Sequence, residues 1–184
     1  MLLNMIAEAV FMSMMVSLVS AKQMNRIING KNATQGQFPY QVSWGFDYFE
    51  SFEYIKLRVN FCGGSIIDKT TIITAAHCCE SIETPKFTNF YNQPIDWSRT
   101  EIVAGEINLQ ETSGLEQVRK IKSHIIHPLY RLATKQNDIC LLTLESPLRF
   151  DKYVGQIDVD NKKPEVGNNC EVSGWGYQVV GLRY

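Results

Sequence analysis

The sequence predicts an all-β protein built as a closed antiparallel barrel. Beyond Arg26 no helical period of apolar residues persists over several turns, and short β-branched and aromatic runs recur instead between Gly, Pro, Asn and Asp. Several such strands around one core favour closure, because a closed sheet has no exposed edge. In chain order the candidate strands are 40–44, 65–67, 70–74, 101–103, 117–121, 141–144 and 171–173. Two stretches, 45–60 and 80–99, are long for hairpin turns and mix aromatic with charged residues. They read as loops, and loops of that length are usually functional or disordered. Residues 151–169, with their Lys, Pro, Gly and Asn, read as a connector from one unit to the start of another. There are no repeats and no low-complexity tract.

Composition narrows the function. Eighteen Lys and Arg against 19 Asp and Glu leave a net charge of −1 over 184 residues, which lacks the basic footprint of a nucleic-acid binder. Hydrophobic content of 45% and aromatic content of 11% belong to a packed chain rather than a disordered one. Near the start, the Met-rich apolar run 10–19 ends on Val19-Ser20-Ala21. It is shorter than the roughly 20 residues of a membrane span and suits a signal peptide. Residues 1–21 are therefore expected to be a signal peptide cleaved after Ala21, leaving a secreted, extracellular protein with no membrane attachment. The run lacks a preceding Lys or Arg and Glu8 interrupts its apolar side, so an uncleaved anchor is the other reading. Secretion would place the five cysteines in an oxidising compartment where most should pair. It would also make the sequon Asn32-Ala33-Thr34 available for glycosylation at Asn32.

Two motifs carry chemistry. In Thr74-Ala75-Ala76-His77-Cys78 a histidine stands at the end of an apolar strand, flanked by a cysteine and by small residues that leave room around the ring. Histidine suits general-base work because its ordinary pKa of about 6.5 lets it take and return a proton near neutrality. In Asn137-Asp138-Ile139-Cys140-Leu141-Leu142 a carboxylate precedes an apolar, buried-looking strand, where an unpaired charge is costly and a basic partner is expected. A buried aspartate that accepts a hydrogen bond from histidine Nδ1 fixes the tautomer and stabilises the imidazolium. On its residues alone, Asp138 reads equally as a turn or cap residue.

From Arg26 to its last residues the chain resembles the trypsin/chymotrypsin family of serine proteases. Five motifs agree in order: Arg26-Ile27-Ile28-Asn29-Gly30 with the zymogen activation junction, Cys62-Gly63-Gly64-Ser65 and Ala75-Ala76-His77-Cys78 with the histidine region, Asn137-Asp138-Ile139 with the aspartate strand, and Cys170-Glu171-Val172-Ser173-Gly174-Trp175-Gly176 with the opening of the second barrel. The resemblance implies a trypsin-like fold of two antiparallel β-barrels with the active site between them. Residues 22–26 would be a short propeptide cut between Arg26 and Ile27. Residues 27–150 would be the complete first barrel, and 151–184 the connector and first strand of the second. His77 would be the general base and Asp138 its orienting partner. The family nucleophile lies in a Gly-Asp-Ser-Gly-Gly segment, and the sequence stops at Tyr184 before one. Ser65, beside paired glycines, matches a structural position. The expectation is thus a serine-type endopeptidase represented by a chain inactive on its own, with the oxyanion hole and specificity pocket beyond Tyr184. Its partners would be polypeptide substrates and protein protease inhibitors, and it would need no cofactor.

The resemblance also implies a disulfide between Cys62 and Cys78, the latter in the loop after the histidine, and a later mate for Cys170, which leaves that thiol odd. Cys79 and Cys140 depart from the commoner pattern. They adjoin His77 and Asp138, whose side chains should touch, so they are expected to bond to each other. Zinc is the rival reading, but the spacings fit no usual finger. The segment from Glu106 to Glu111, with Glu116, resembles the family's calcium loop and offers hard oxygen ligands. Ser113 stands where a further ligand would be expected, and a solvated acidic loop is the plainer alternative. His124 and His127 match a surface strand and the turn before Pro128, with no catalytic part. Two other functions stay open: a non-catalytic protease homologue that binds partners through its long loops, and a self-standing single-barrel binding module.

Overall fold

The computed structural model describes residues 30–50, 55–83, 96–162 and 165–176. The expected signal peptide, propeptide and Arg26–Ile27 junction lie outside them. Among the described residues, strands β1 (Gln41–Glu50), β2 (Ile55–Ile66), β3 (Thr71–Thr74), β4 (Glu101–Ala104), β5 (Gln117–Ile126) and β6 (Cys140–Leu144) are joined with one α-helix, α1 (Ala76–Glu83), between β3 and β4. Every ladder is antiparallel. The strand order β1-β2-β3-β6-β5-β4 closes on itself through β4 and β1, giving the expected barrel.

Inward alternation supplies the core. Along β6, Cys140, Leu142 and Leu144 are buried while Leu141 and Thr143 are only partly so. Val42, Trp44, Ile66, Ile72 and Ile102 fill the interior from the other strands, joined by Leu148 and Val154. Trp44 is fully buried yet keeps its polar atom satisfied, because Nε1–H donates to Thr100 Oγ1 at 3.1 Å. The segment read as a connector starts as part of this packing. Gly155 N donates to Pro39 O at 3.0 Å and Ile157 N to Ile66 O at 2.9 Å.

Three expectations change. The stretch 45–60 is mostly ladder, since Gly45 to Glu50 pair with Ile55 to Asn60 after a register break between Trp44 and Gly45. Charge masks its strand character, and burial of that charge explains it: Arg58, only 8% exposed, bonds Asp47 Oδ1 at 3.2 Å and the Glu101 carbonyl at 2.8 Å. The loop read at 80–99 begins inside α1 and ends in a single 3-10 turn, Trp97–Arg99, capped by Asp96, whose Oδ1 accepts from Ser98 N at 3.0 Å; residues 84–95 lie outside the described residues. The candidate strand 171–173 is not a strand, for it has no ladder partner among the described residues. Side chains hold its neighbourhood instead: Ser173 Oγ donates to Gln41 Oε1 and Trp175 Nε1 to the Ile107 carbonyl, each at 2.7 Å.

Gly64 on β2 lies close against its neighbour β3. A methyl there would sit 2.7 Å from Ile72 Cγ2 and 2.9 Å from the Ile73 carbonyl oxygen. Gly64→Ala is therefore expected to destabilise the fold by about 1–3 kcal/mol, the usual penalty for overpacking, as read from urea midpoints at constant slope.

Candidate active site

The antiparallel register of β3 and β6 decides where the two chemical motifs meet. Thr74, the last residue of β3, lies opposite Cys140, the first of β6. The residues just after Thr74 must therefore face those just before Cys140. Thr74 Oγ1 donates to the Gly63 carbonyl at 2.7 Å, and the chain turns at Ala75, whose carbonyl accepts from Cys78 N at 3.2 Å as α1 begins. Ala76, Cys78 and Cys79 are buried, so His77 between them points outward. The histidine thus sits in the first turn of a helix, not at a strand end, and Cys78 is helical rather than in a loop.

On the other side, Asn137 takes a left-handed conformation with φ 54, which asparagine tolerates better than most residues. Its Nδ2 donates to the Leu129 carbonyl at 2.9 Å, and its own carbonyl accepts from Ile139 N at 2.8 Å. This kink turns Asp138 back onto the start of α1. Asp138 grips His77 at two points: Oδ1 accepts from the His77 backbone N–H at 2.8 Å, and Oδ2 meets ring Nδ1 at 2.7 Å. A carboxylate only accepts, so this contact requires the proton on Nδ1. The His77 side chain is 47% exposed and that of Asp138 24%.

The charge state of Asp138 follows from its neighbours. Partial burial pushes its pKa up, but the ring and backbone hydrogen bonds of His77, with the positive charges of His77 and Lys135, outweigh that and hold it below the ordinary carboxylate value. The role of Asn137 in aiming Asp138 was not read from the sequence, although an asparagine immediately before the key carboxylate was the available signal.

Two disulfides brace the site. Cys62 on β2 is bonded to Cys78 with Cα atoms 6.4 Å apart, and Cys79 to Cys140 with Cα atoms 6.5 Å apart. Cys170 is an exposed thiol outside either bridge. The ligand atoms of Cys62, Cys78 and His77 cluster within 4.8 Å, but the two sulfurs are bonded to each other. In the acidic loop, Ser113 Oγ donates to Glu106 Oε2 at 2.5 Å and lies 3.3 Å from Glu116 Oε2. The other Glu106 oxygen accepts from the backbone of Ile107 and Asn108. These carboxylates are thus engaged by the loop's own donors. Asn32 is exposed. His127 accepts at Nδ1 from Leu129 N at 3.1 Å, a turn contact, and His124 lies on β5. Among the described residues no helix is long and apolar enough to cross a membrane.

A family model described as Trypsin matches residues 27–181. The chain is similar to Serine protease 1 of Canis lupus familiaris, 31% identical over 161 residues that cover 87% of this chain and 54% of that protein. It is also similar to Serine protease 1 of Homo sapiens, 30% identical over 83% of this chain and 50% of the relative. A third relative is Coagulation factor IX of Oryctolagus cuniculus, 34% identical over 85% and 50%. The chain spans about half the length of the curated relatives it matches.

Asp138 offers a direct measurement. Because its folded-state pKa is lowered, its stabilising contribution is complete above the unfolded value of about 3.9 and fades as pH falls through the folded value. Carbon-13 NMR of the Asp138 carboxyl should give a midpoint below about 3.9. Asp138→Asn should remove this component from the acid limb of the stability curve.

Proposed function

Because the chain belongs to the trypsin family of serine proteases, we propose that it carries the general-base half of a serine endopeptidase acting on polypeptides. The observation that supports this most directly is the two-point grip of Asp138 on His77. With Nδ1 held as a donor, proton exchange falls to Nε2. In the proposed reaction Nε2 takes the proton of a serine hydroxyl as its oxygen attacks the scissile carbonyl, and Asp138 stabilises the resulting imidazolium. That proton then passes to the leaving amine as the peptide C–N bond breaks, and water hydrolyses the acyl-enzyme with His77 acting as base again.

We place the nucleophile, the oxyanion hole and the specificity pocket in sequence beyond Tyr184. Residues 27–150 are then the first barrel, and 151–184 the connector and opening of a second. Cleavage between Arg26 and Ile27 would activate a secreted zymogen freed from its 1–21 signal peptide. Secretion is supported by the two disulfides, which form and persist in oxidising compartments, and by the exposed sequon at Asn32.

The coding sequence past Tyr184 should continue into Gly-Asp-Ser-Gly-Gly with a cysteine to match Cys170. The full-length protein should react with a serine-directed fluorophosphonate. In it, Asp138→Asn should lower kcat about 10,000-fold, as loss of the orienting carboxylate does in the serine-protease template, with KM little changed. Another residue at the serine position would instead leave a non-catalytic homologue that binds partners.

Expression in secretory cells should yield a product beginning at Lys22 or, after activation, at Ile27. Glycosidase treatment should shift its mass, and Asn32→Gln should abolish that shift. A product retaining Met1 would overturn the signal-peptide assignment.

A further inference from the structure

Asp138 meets His77 at both its backbone N–H and its ring Nδ1. A two-point contact of this kind needs the two chain segments held in one geometry, and the path of the chain shows how. Thr74 is held opposite Cys140 by the β3–β6 ladder. Five residues later Cys79 is bonded to the same Cys140. Residues 75–78 therefore form a short arc with both ends fastened to Cys140, one by backbone pairing and the other by a covalent bond. His77 lies on that arc. Asp138 lies two residues before Cys140, just as His77 lies two before Cys79, so the disulfide and the hydrogen-bonded pair both span 61 residues.

We propose that the Cys79–Cys140 disulfide is a positioning device that holds His77 Nδ1 on Asp138 Oδ2 by closing this arc onto the strand that carries the carboxylate. The inference rests on reading His77 and Asp138 as the acid–base pair. The other bridge does not substitute, because Cys62–Cys78 ties α1 to β2 and leaves the β6 side open. Both Cys79 and Cys140 are completely buried, which keeps the clamp behind the pair. Neither sulfur meets a substrate, so these are positioning residues that act through His77.

The test reads the pair itself rather than proteolysis. In the full chain, the His77 Nδ1–H proton should give a low-field NMR resonance that disappears in Asp138→Asn. Two variants open the clamp, Cys79→Ala/Cys140→Ala and Cys79→Ala/Cys140→Val, the second restoring core volume without the bond. Loss of the resonance in both, with the barrel amide spectrum retained, is the expected result. Its persistence in either variant, or its return when valine refills the core, would reduce the bridge to packing and overturn the proposal.

Should neither variant fold, stepwise reduction of the parent with a dithiol, mapped by alkylation and mass spectrometry, gives the same answer. Loss of the resonance on opening of Cys79–Cys140, ahead of the barrel spectrum, supports the clamp. Loss only with Cys62–Cys78, or only with the whole spectrum, overturns it. A parent chain without the resonance would sink the acid–base reading and, with it, this inference.

Discussion

Closure of the barrel through the β4–β1 ladder is the constraint on which the rest of the molecule depends. Val42 to Gly45 pair with Glu101 to Ala104, and that seam turns a six-strand sheet into a ring. A ring has no edge on which backbone donors and acceptors go unpaired. It also fixes which strands are neighbours. β3 and β6 are far apart in the chain, with β4 and β5 between them, yet they pair from Thr71↔Thr143 to Thr74↔Cys140. The antiparallel sense brings the end of one and the beginning of the other to the same rim. A histidine beyond one and a carboxylate ahead of the other then meet without any dedicated loop to carry them.

The interior tolerates polarity where most groups are answered, with Arg58 Nε and Trp97 Nε1 the buried atoms left without a partner among the described residues. Ser43, fully buried, donates to Asn60 Oδ1 at 2.6 Å, and the Trp44 indole finds Thr100. Arg58 is charged and nearly enclosed, with Asp47 and the Glu101 carbonyl around it. Buried charge is costly unless paired, so these contacts explain why the β1–β2 ribbon keeps strand geometry past the barrel wall. Beside it Trp44, Phe61 and Trp97 form an aromatic cluster, with centroids 5.0 Å apart for the tilted Trp44–Phe61 pair and 5.1 Å for the edge-to-face Phe61–Trp97 pair. The edge-to-face arrangement suits the ring quadrupoles.

Much of this was legible in the residues, and the reasons differ from element to element. Strands such as Cys140–Leu144 announce themselves as a short apolar run bounded by polar residues, although it is their burial and not their sequence that alternates. The ribbon from Gly45 to Asn60 is less plain, since charges are mixed with aromatics along 46–54 and the apolar–polar alternation is confined to Ile55-Lys56-Leu57-Arg58-Val59-Asn60. Helix α1 has only eight residues, too few for a helical period to stand out, and two of them are half-cystines placed by covalent demand. His77 and Asp138 were visible as motifs. The way they meet was not, because it depends on barrel register and on the left-handed turn at Asn137, a conformation that residue identity permits without requiring.

The 61-residue separation between His77 and Asp138 has a bearing on the order of events during synthesis. Local turns and hairpins form early, whereas contacts between distant parts of a chain await the collapse that brings them together. The hydrogen bond that orients the imidazole belongs to the late class, since it needs β3 and β6 already side by side. A nascent chain thus passes through its partly open states before the ring of His77 has a fixed direction. Whatever proton transfer the pair supports arrives only after architecture, a delay written into the spacing of two residues.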